Sequence, residues 1–233
     1  MSKIFVIDGT DGSGKKTQVK LLKERLEKEN YSVISYPFPN YSSLSSGPVR
    51  MYLEGEISEN ANDISEKAAS SFYAVDRYIT YQKSMKKMFE QENNIILLDR
   101  YTSANLIHQG SKIIDKYGMN EEKLDEYIHW ICNFEYNDLE LPMPTQTFFM
   151  NMPINVILKL IENRPDEISG NTTKDIHERN LSHLENSLTS GLYVAKKLNW
   201  YTVNCMKDDQ LRTIEDINDE IFNEILRIVN NKL

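Results

Sequence analysis

The sequence predicts an α/β fold in which a five-stranded parallel sheet is flanked by helices on both faces. Short, wholly apolar runs, such as residues 4–7 and 95–98, have the character of strands that are buried on both faces. These runs alternate along the chain with longer stretches of helical period, which is the pattern of a doubly wound sheet. The 233 residues suffice for one such domain, and neither an internal repeat nor a long linker divides them. We therefore expect one domain over residues 1–233.

The strands are predicted from apolar runs that end at polar or turn-forming residues. The first run leads directly into a glycine-rich loop, and the second ends before Pro37, which has no N–H to donate to a sheet. The third run closes on Asp99. The five predicted strands are residues 4–7, 31–36, 95–98, 145–150 and 201–204.

Helices are predicted between these strands from apolar residues that recur every three or four positions. In the first helix Val19, Leu22 and Leu26 fall on one face, and most Lys and Glu side chains fall on the other. Pro153 precedes another helix, where its missing N–H is tolerated in the first turn. The predicted helices are residues 17–29, 49–53, 65–91, 120–136, 154–163, 174–198 and 214–230.

The composition restricts the partners and the compartment. The formal net charge is -8 at pH 7 and no dense run of Lys or Arg occurs, which argues against a nucleic-acid partner. Cys132 and Cys205 are widely spaced and are expected to be reduced thiols of a cytosolic protein. The amino-terminal apolar run is too short for a signal peptide, and no stretch approaches the roughly 18 apolar residues of a membrane span. We expect a cytoplasmic protein without a membrane partner.

A glycine-rich loop follows the first predicted strand. It matches the pattern G-x-x-x-x-G-K and consists of Gly9, Thr10, Asp11, Gly12, Ser13, Gly14 and Lys15. Its glycines let backbone N–H groups turn inward around phosphate oxygens, and the following helix adds its positive amino-terminal end. Lys15 would reach the β- and γ-phosphates as a point charge. The motif predicts an ATP site in a P-loop NTPase fold.

The predicted ATP site continues into Lys16 and Thr17, where the sequence departs from the usual motif. The position after Lys15 normally carries Ser or Thr, whose hydroxyl ligates Mg²⁺. Thr17 is turned about 100° around the helix from that position and is not an obvious replacement. Either the site binds nucleotide without catalysis, or the Lys16 ammonium fills part of the missing contact while water, phosphates and Asp99 hold Mg²⁺. We favour the second hypothesis because the other catalytic residues are present.

Two further motifs indicate a second anionic ligand and a planar ring. Asp99 and Arg100 follow a predicted strand, at the edge where parallel sheets bind ligands. Asp99 can bind Mg²⁺ through water and Arg100 can hold a phosphate bidentately, although a structural salt bridge is the alternative. Tyr73 and Arg77 are four apart on one helical face, so the ring could stack on a base while the guanidinium donates to it. Ordinary helix-surface residues are the alternative there.

Taken together, these residues resemble thymidylate kinase over nearly the whole chain. The matching segments are the loop 9–15 with its internal Asp11, Phe38-Pro39, Tyr52-Leu53-Glu54-Gly55, Tyr73 with Arg77, Asp99-Arg100-Tyr101, Asn105 with Gln109-Gly110, and Leu141-Pro142-x-Pro144. Their order and spacing make the match specific. The resemblance implies transfer of the γ-phosphoryl of ATP to dTMP in dTTP biosynthesis, with Mg²⁺ as cofactor and a homodimer as the usual assembly.

The resemblance also implies a role for each matching residue. The catalytic residues would be Lys15, Asp99, Arg100 and Arg164. The dTMP site would consist of Asp11, Phe38, Tyr41, Arg50, Leu53, Tyr73, Arg77, Arg100, Asn105, His108 and Gln109. Asp11 would accept from the 3′-hydroxyl, Tyr73 would stack on thymine, Arg77 would hydrogen-bond a base carbonyl and Asn105 would address the base edge. A lid at about 161–178 would bring Arg164 over ATP and exclude water.

The chain departs from the family pattern at two acceptor-side positions. Asn40 stands where Arg is often found, so binding of the acceptor phosphate would depend more on Arg100 and Tyr41. His108 stands where an aromatic residue usually crowds the sugar 2′ position, which bears on the preference for deoxyribose.

Two other functions compete with the one that the resemblance implies. One is another nucleoside monophosphate kinase or a deoxynucleoside kinase. A deoxynucleoside kinase would need a carboxylate base just after the second strand, where this chain has Pro37-Phe38-Pro39-Asn40 instead. The other is a catalytically weak nucleotide-binding regulator, a hypothesis that the departure at Lys16 motivates.

Overall fold

The computed structural model of the chain describes residues 1–161 and 181–230. All five predicted strands are present within these residues and form one sheet. They are β1 Lys3–Gly9, β2 Ser32–Pro37, β3 Asn94–Asp99, β4 Gln146–Asn151 and β5 Tyr201–Asn204. No helix in the described ranges is long and apolar enough to cross a membrane.

The sheet has the strand order β2-β3-β1-β4-β5, and every neighbouring pair is parallel. The predicted α/β fold with a five-stranded parallel sheet is therefore confirmed. Because β1 lies between β3 and β4, the carboxyl ends of these three strands meet at one edge of the sheet. Ile7 lies opposite Asp99 and Gly9 lies opposite Met150 at that edge, which is where open parallel sheets bind ligands.

Helices cover both faces of the sheet. They are α1 Lys15–Lys28, α2 Gly47–Leu53, α3 Glu66–Thr80, α4 Lys86–Glu90, α5 Thr102–His108, α6 Gly110–Tyr117, α7 Glu121–Cys132, α8 Ile154–Ile161, α9 Leu181–Lys197 and α10 Ile214–Asn230. A π-helical turn over Tyr81–Met85 joins α3 to α4, and a second one over Asn133–Asp138 follows α7. A short antiparallel hairpin, β6 Met206–Lys207 and β7 Gln210–Leu211, precedes α10.

The core lies on both faces of β1, because alternate residues of a strand point to opposite faces. Phe5 and Ile7 pack in one hydrophobic cluster with Leu22 of α1. Ile4 and Val6 pack in a second cluster on the other face. Both sets are fully buried, which is the physical reason that this strand is wholly apolar in sequence.

The structure corrects the helix predictions at several places. Helices α5 and α6 and the hairpin β6–β7 were not predicted. The predicted helix 65–91 consists of α3, a π-helical turn and α4, and the predicted helix 120–136 consists of α7 and a π-helical turn. Helix α5 shows no amphipathic period because nearly all of its residues are buried, whichever direction they face.

Part of the predicted architecture lies outside the described residues. The predicted lid, at about 161–178, and the catalytic candidate Arg164 fall there beyond residue 161. The predicted helix 174–198 is described from Leu181, as α9.

Candidate active site

The loop between β1 and α1 has the backbone conformation that its glycines permit. Gly9 has φ +157°, and a Cβ at this position would lie 2.9 Å from the backbone oxygen of Met150. Gly14 has φ +86°, and an added Cβ there would meet no described atom within 4 Å. The Ser13 N–H donates to the Thr10 carbonyl over 3.2 Å, which closes the turn. Gly9 is therefore required for the close approach of the loop to β4, and Gly14 for the turn into the helix.

Lys15 is held inside this loop. Its side chain is 6% exposed, and Nζ donates to the carbonyls of Gly9 over 3.0 Å and Thr10 over 2.8 Å. Nζ also lies 3.9 Å from Oδ1 of Asp11. Burial lowers the pKa of the Lys15 ammonium, and the neighbouring carboxylates act in the opposite direction. The role of Lys15 as a cation beside the transferred phosphoryl group stays a prediction.

Arg100 contacts the same carboxylate oxygen as Lys15. It directly follows β3, its N–H donates to the Ile7 carbonyl over 3.1 Å, and its Nη2 is hydrogen-bonded to Oδ1 of Asp11. Its φ of +67° is unusual for a residue with a Cβ, and such conformations cluster at functional sites. Burial alone would raise the pKa of Asp11, but Arg100 and Lys15 hold this pKa well below its usual range. Asp11 thus bridges two cations that the sequence places 85 residues apart.

Two more carboxylates complete what we call the charge cluster, which consists of Asp8, Asp11, Lys15, Asp99 and Arg100. Asp8 is fully buried, and it accepts from Ser103 Oγ over 2.6 Å and from the Gly9 N–H over 2.8 Å. Burial raises the pKa of Asp8, against the effect of the two cations. The sequence analysis did not name Asp8. The available signal was its position as an acidic residue inside an otherwise apolar strand.

The residues predicted to line the acceptor site begin directly after β2. The Phe38 N–H donates to the Asp99 carbonyl over 2.9 Å, so the turn is attached to the end of β3. Burial lowers the pKa of Arg100, but Asp11, Asp8, Asp99 and Tyr41 lie close enough to raise it. The guanidinium of Arg50 on α2 donates to the Tyr41 carbonyl and lies 5.6 Å from the Tyr41 ring. Phe38 and Tyr41 therefore lie beside the charge cluster, and Arg50 is held against Tyr41.

Asn40 has a different role from the Arg that is often found there. Its N–H donates to Oδ2 of Asp76 over 2.7 Å, and its Nδ2 donates to Thr80 over 3.3 Å. The other carboxylate oxygen of Asp76 accepts from Ser45 over 2.5 Å. Asn40 and Asp76 thus attach the segment after β2 to α3.

The predicted base site lies between α2 and α3. Tyr73 of α3 packs edge-on against Tyr52, with ring centroids 6.4 Å apart, and Leu53 is buried in the same hydrophobic cluster. An aromatic ring on an apolar floor is suited to stacking on a planar ligand. The role of Tyr73 in stacking on thymine stays a prediction.

Arg77 and Asn105, the predicted readers of the base edge, share a partner that the sequence analysis missed. Glu135, in the π-helical turn after α7, accepts from Arg77 Nε over 2.7 Å and from Arg77 Nη2 over 2.6 Å. It also accepts from Asn105 Nδ2 over 3.2 Å and from Thr102 Oγ1 over 2.8 Å. The available signal was an acidic residue four positions after Ile131, on the continuation of the buried stripe of α7.

His108 and Gln109 lie at the end of α5, and both are buried. The His108 ring stacks on His183 of α9, with centroids 5.9 Å apart. Burial lowers the pKa of His108 well below its usual value, although Asp11 acts in the opposite direction. His108 Nε2 and Gln109 Oε1 have no hydrogen-bond partner within the part of the chain that the structure describes. His108 thus lies near the charge cluster, and contact of either residue with the sugar stays a prediction.

The donor set fits a metal that is held mainly by its nucleotide. Among residues 1–161 and 181–230, no three His, Cys, Asp or Glu residues form a metal cage. Asp99 is the predicted carboxylate, and Lys16, the departure from the usual motif, is exposed at the start of α1. Mg²⁺ in phosphoryl-transfer sites keeps several waters and takes one or two carboxylates besides the phosphates. The residues present fit such an ion.

Comparison with known proteins identifies the family of this chain. The family model described as "Thymidylate kinase" matches residues 7–217. A probable thymidylate kinase of Caldivirga maquilingensis is 24% identical, over 98% of this chain and 94% of that protein. The thymidylate kinase of Prochlorococcus marinus is 25% identical, over 99% of each chain. A solved structure of thymidylate kinase from Candida albicans has a TM-score of 0.69 at 19% identity, covering 99% of this chain and 93% of that one, which shows the shared fold. The chain belongs to the thymidylate kinase family, whose members are ATP:dTMP phosphotransferases.

Proposed function

We propose that the charge cluster is the place where the γ-phosphoryl group of ATP is transferred to dTMP, giving ADP and dTDP. The observation that carries this proposal is the position of Asp11, whose carboxylate contacts both Lys15 and Arg100. The donor cation and the acceptor cation therefore both lie next to one carboxylate oxygen, Oδ1 of Asp11. Two anionic ligands that bind these cations would meet end to end, as in-line transfer requires.

On the donor side, the loop amides and Lys15 would hold the phosphates of ATP. The hydroxyls of Thr10 and Ser13 are buried and have no hydrogen-bond partner among the described residues. Lys15 already lies against the loop backbone, so it needs little reorganisation to neutralise charge that develops on the phosphoryl oxygens. Mg²⁺, held by Asp99 through water, would supply further neutralisation of the phosphates.

On the acceptor side, Arg100 would hold the dTMP phosphate, with Phe38 and Tyr41 lining the pocket. No general base is needed, because the attacking oxygen belongs to a phosphate that is already an anion. Arg100 donates to Asp11 in this structure. We propose that its remaining N–H donors take the acceptor phosphate while Asp11 accepts from the 3′-hydroxyl of the sugar.

The reaction is tested by coupled ADP release with ATP, Mg²⁺ and each of dTMP, dUMP, CMP, UMP and AMP. We expect the highest kcat/KM with dTMP. Preference for CMP, UMP or AMP would assign another monophosphate kinase instead. Nucleotide binding without turnover of any acceptor would support the regulator that Lys16 motivates.

The remaining parts of the proposal rest on the family. We propose that Arg164 and the lid at about 161–178 close over ATP, that the chain acts as a homodimer, and that it works in the cytoplasm in dTTP biosynthesis. Light scattering coupled to size-exclusion chromatography tests the dimer, for which a mass near twice 27.2 kDa is expected. A mass of one chain at micromolar concentration would contradict it.

A further inference from the structure

Glu135 is the centre of a buried polar network beneath the predicted base site. Its side chain is completely buried, and so are its partners Arg77, Thr102 and Asn105. Four hydrogen bonds reach its two carboxylate oxygens from these three residues. A buried carboxylate and a buried guanidinium are costly to desolvate, and only a well-formed set of hydrogen bonds offsets that cost. Such a network holds its members in one arrangement.

The network fixes Arg77 as a donor with a single orientation. Glu135 takes two of its N–H groups in a fork, and the carbonyl of Tyr101 takes a third, from Nη1, over 3.2 Å. A guanidinium carries five N–H donors and no acceptor. Arg77 therefore has further N–H donors on Nη1 and Nη2, and it can offer a ligand only donors.

The network also fixes the orientation of the Asn105 amide. Its Nδ2 donates to Oε1 of Glu135 over 3.2 Å and to the Ser70 carbonyl over 3.2 Å. Both partners are obligate acceptors when the carboxylate is ionised, so the amide group cannot be turned over without placing oxygen against oxygen. The remaining polar atom of the side chain, Oδ1, can only accept.

Arg77 and Asn105, here called the base-reading pair, thus have a fixed polarity of one donor and one acceptor. The edge of a 4-oxo pyrimidine offers the complement, an N3–H donor beside an O4 acceptor. A 4-amino pyrimidine offers the reverse, an N3 acceptor beside an amino donor. We propose that Glu135 is a positioning residue that sets this polarity, and that it thereby makes the acceptor site select 4-oxo pyrimidine monophosphates over 4-amino ones.

This inference rests on the proposed function, because it assumes that the base-reading pair faces the base of the acceptor. It adds a residue to the specificity of that site. A site built to hydrogen-bond one edge leaves buried groups unpaired when the wrong edge enters, so the discrimination can be large.

The test is Glu135→Gln, assayed with dTMP and dCMP at saturating ATP. Glutamine keeps the shape but replaces one acceptor oxygen by an N–H₂ donor, which faces a donor of Arg77, Thr102 or Asn105 and displaces the base-reading pair from its arrangement. We expect kcat/KM for dTMP to fall at least 30-fold, mainly through KM, while the KM for ATP stays unchanged. The ratio of kcat/KM for dTMP over dCMP should fall at least tenfold. Glu135→Asp, which keeps the acceptor-only carboxylate, should retain more of this ratio than Glu135→Gln.

Tyr127→Phe is the matched control. Tyr127 is also buried, lies on α7, and its hydroxyl is hydrogen-bonded to Ser70 and to the backbone carbonyl of Asn105, while no hydrogen bond joins it to Glu135 or Arg77 among the described residues. It should lower the melting temperature and leave the ratio of dTMP to dCMP unchanged. An equal loss of that ratio in Tyr127→Phe would overturn the proposal, because the effect would then follow from stability alone.

A folded Glu135→Gln protein with the wild-type ratio would also overturn it. Should that variant not fold, Thr102→Val removes one hydrogen bond from Glu135, and we expect it to lower the ratio about threefold. An unchanged ratio there would count against the proposal in the same way. If the wild type phosphorylates neither pyrimidine nucleotide, the proposed function itself is wrong, which the same assay distinguishes.

Discussion

Replacing Arg100 by Ala tests the central claim that one cation holds the acceptor phosphate beside Lys15. Counted as fully ionised, the charge cluster carries two cations and three carboxylates, a sum of -1, which the substitution changes to -2. The acceptor phosphate would lose its closest cation and meet three carboxylates with only Lys15 to balance them.

The expected magnitude follows from two estimates. A unit charge pair about 4 Å apart is worth roughly 4 kcal/mol at an effective dielectric constant near 20. Removing one preorganised donor from a charged transition state typically costs about 3 kcal/mol. We take about 3 kcal/mol, and because about 1.4 kcal/mol corresponds to a factor of ten, kcat/KM for dTMP should fall at least about 100-fold.

The assay is coupled ADP release with dTMP, with Arg100→Lys as the control. Lysine keeps the charge but lacks the planar fork, so a loss of about tenfold is expected. Arg, Lys and Ala all have a Cβ and meet the same backbone strain at φ +67°, so the comparison isolates the side-chain head. Near-normal kinetics for a folded Arg100→Ala protein would refute the reasoning and remove Arg100 from the mechanism.

Three further predictions concern the loop, the histidine stack and the metal. Gly9→Ala places a Cβ 2.9 Å from the Met150 oxygen at φ +157°, so we expect about 2 kcal/mol of destabilisation and weakened ATP binding. Thermal unfolding and nucleotide titration check this, and a wild-type melting curve would contradict it. Burial lowers the pKa of His183 from 6.5 to about 4, so protonation favours the unfolded chain. The contribution of neutral His183 to the free energy of unfolding is therefore complete above pH 6.5 and is lost as the pH falls towards 4. The unfolding free energy that is lost through His183 is about 3 kcal/mol. His183→Asn should flatten the pH dependence of the unfolding free energy. An unchanged slope would contradict this role of His183. Lys16→Thr should shift the Mg²⁺ dependence of turnover to lower concentrations, because a hydroxyl then reaches the metal, and a superimposable titration would disprove that role.

The sheet could be predicted from sequence because each strand is determined by its own residues. A run such as residues 4–7 must be apolar on both faces when helices cover both faces of the sheet, and that requirement is visible locally. The glycine-rich loop was predictable for a similar reason. Gly9 and Gly14 have positive φ values that other residues rarely adopt, so the backbone conformation constrains the residue type directly.

Helix α5 was not predictable in the same way. A helix is recognised in sequence by one apolar and one polar face, and α5 buries apolar Leu106 and Ile107 together with polar Ser103, Asn105 and His108. Its polar residues face the site and not the solvent. The features that make it part of the candidate active site thus also remove the pattern by which helices are recognised in a sequence.

The sequence by itself determined the α/β class, the P-loop, the family and most of the residues proposed to contact the two nucleotides. Only the tertiary structure showed that Asp11 bridges Lys15 and Arg100, and that Glu135 sits beneath Arg77 from 58 positions further along the chain. Periodicity and backbone strain depend on residues that are close together in the chain, so both can be recognised in a short stretch of sequence. The partner of a buried charge is chosen by which elements the fold packs together, and no local pattern records that choice.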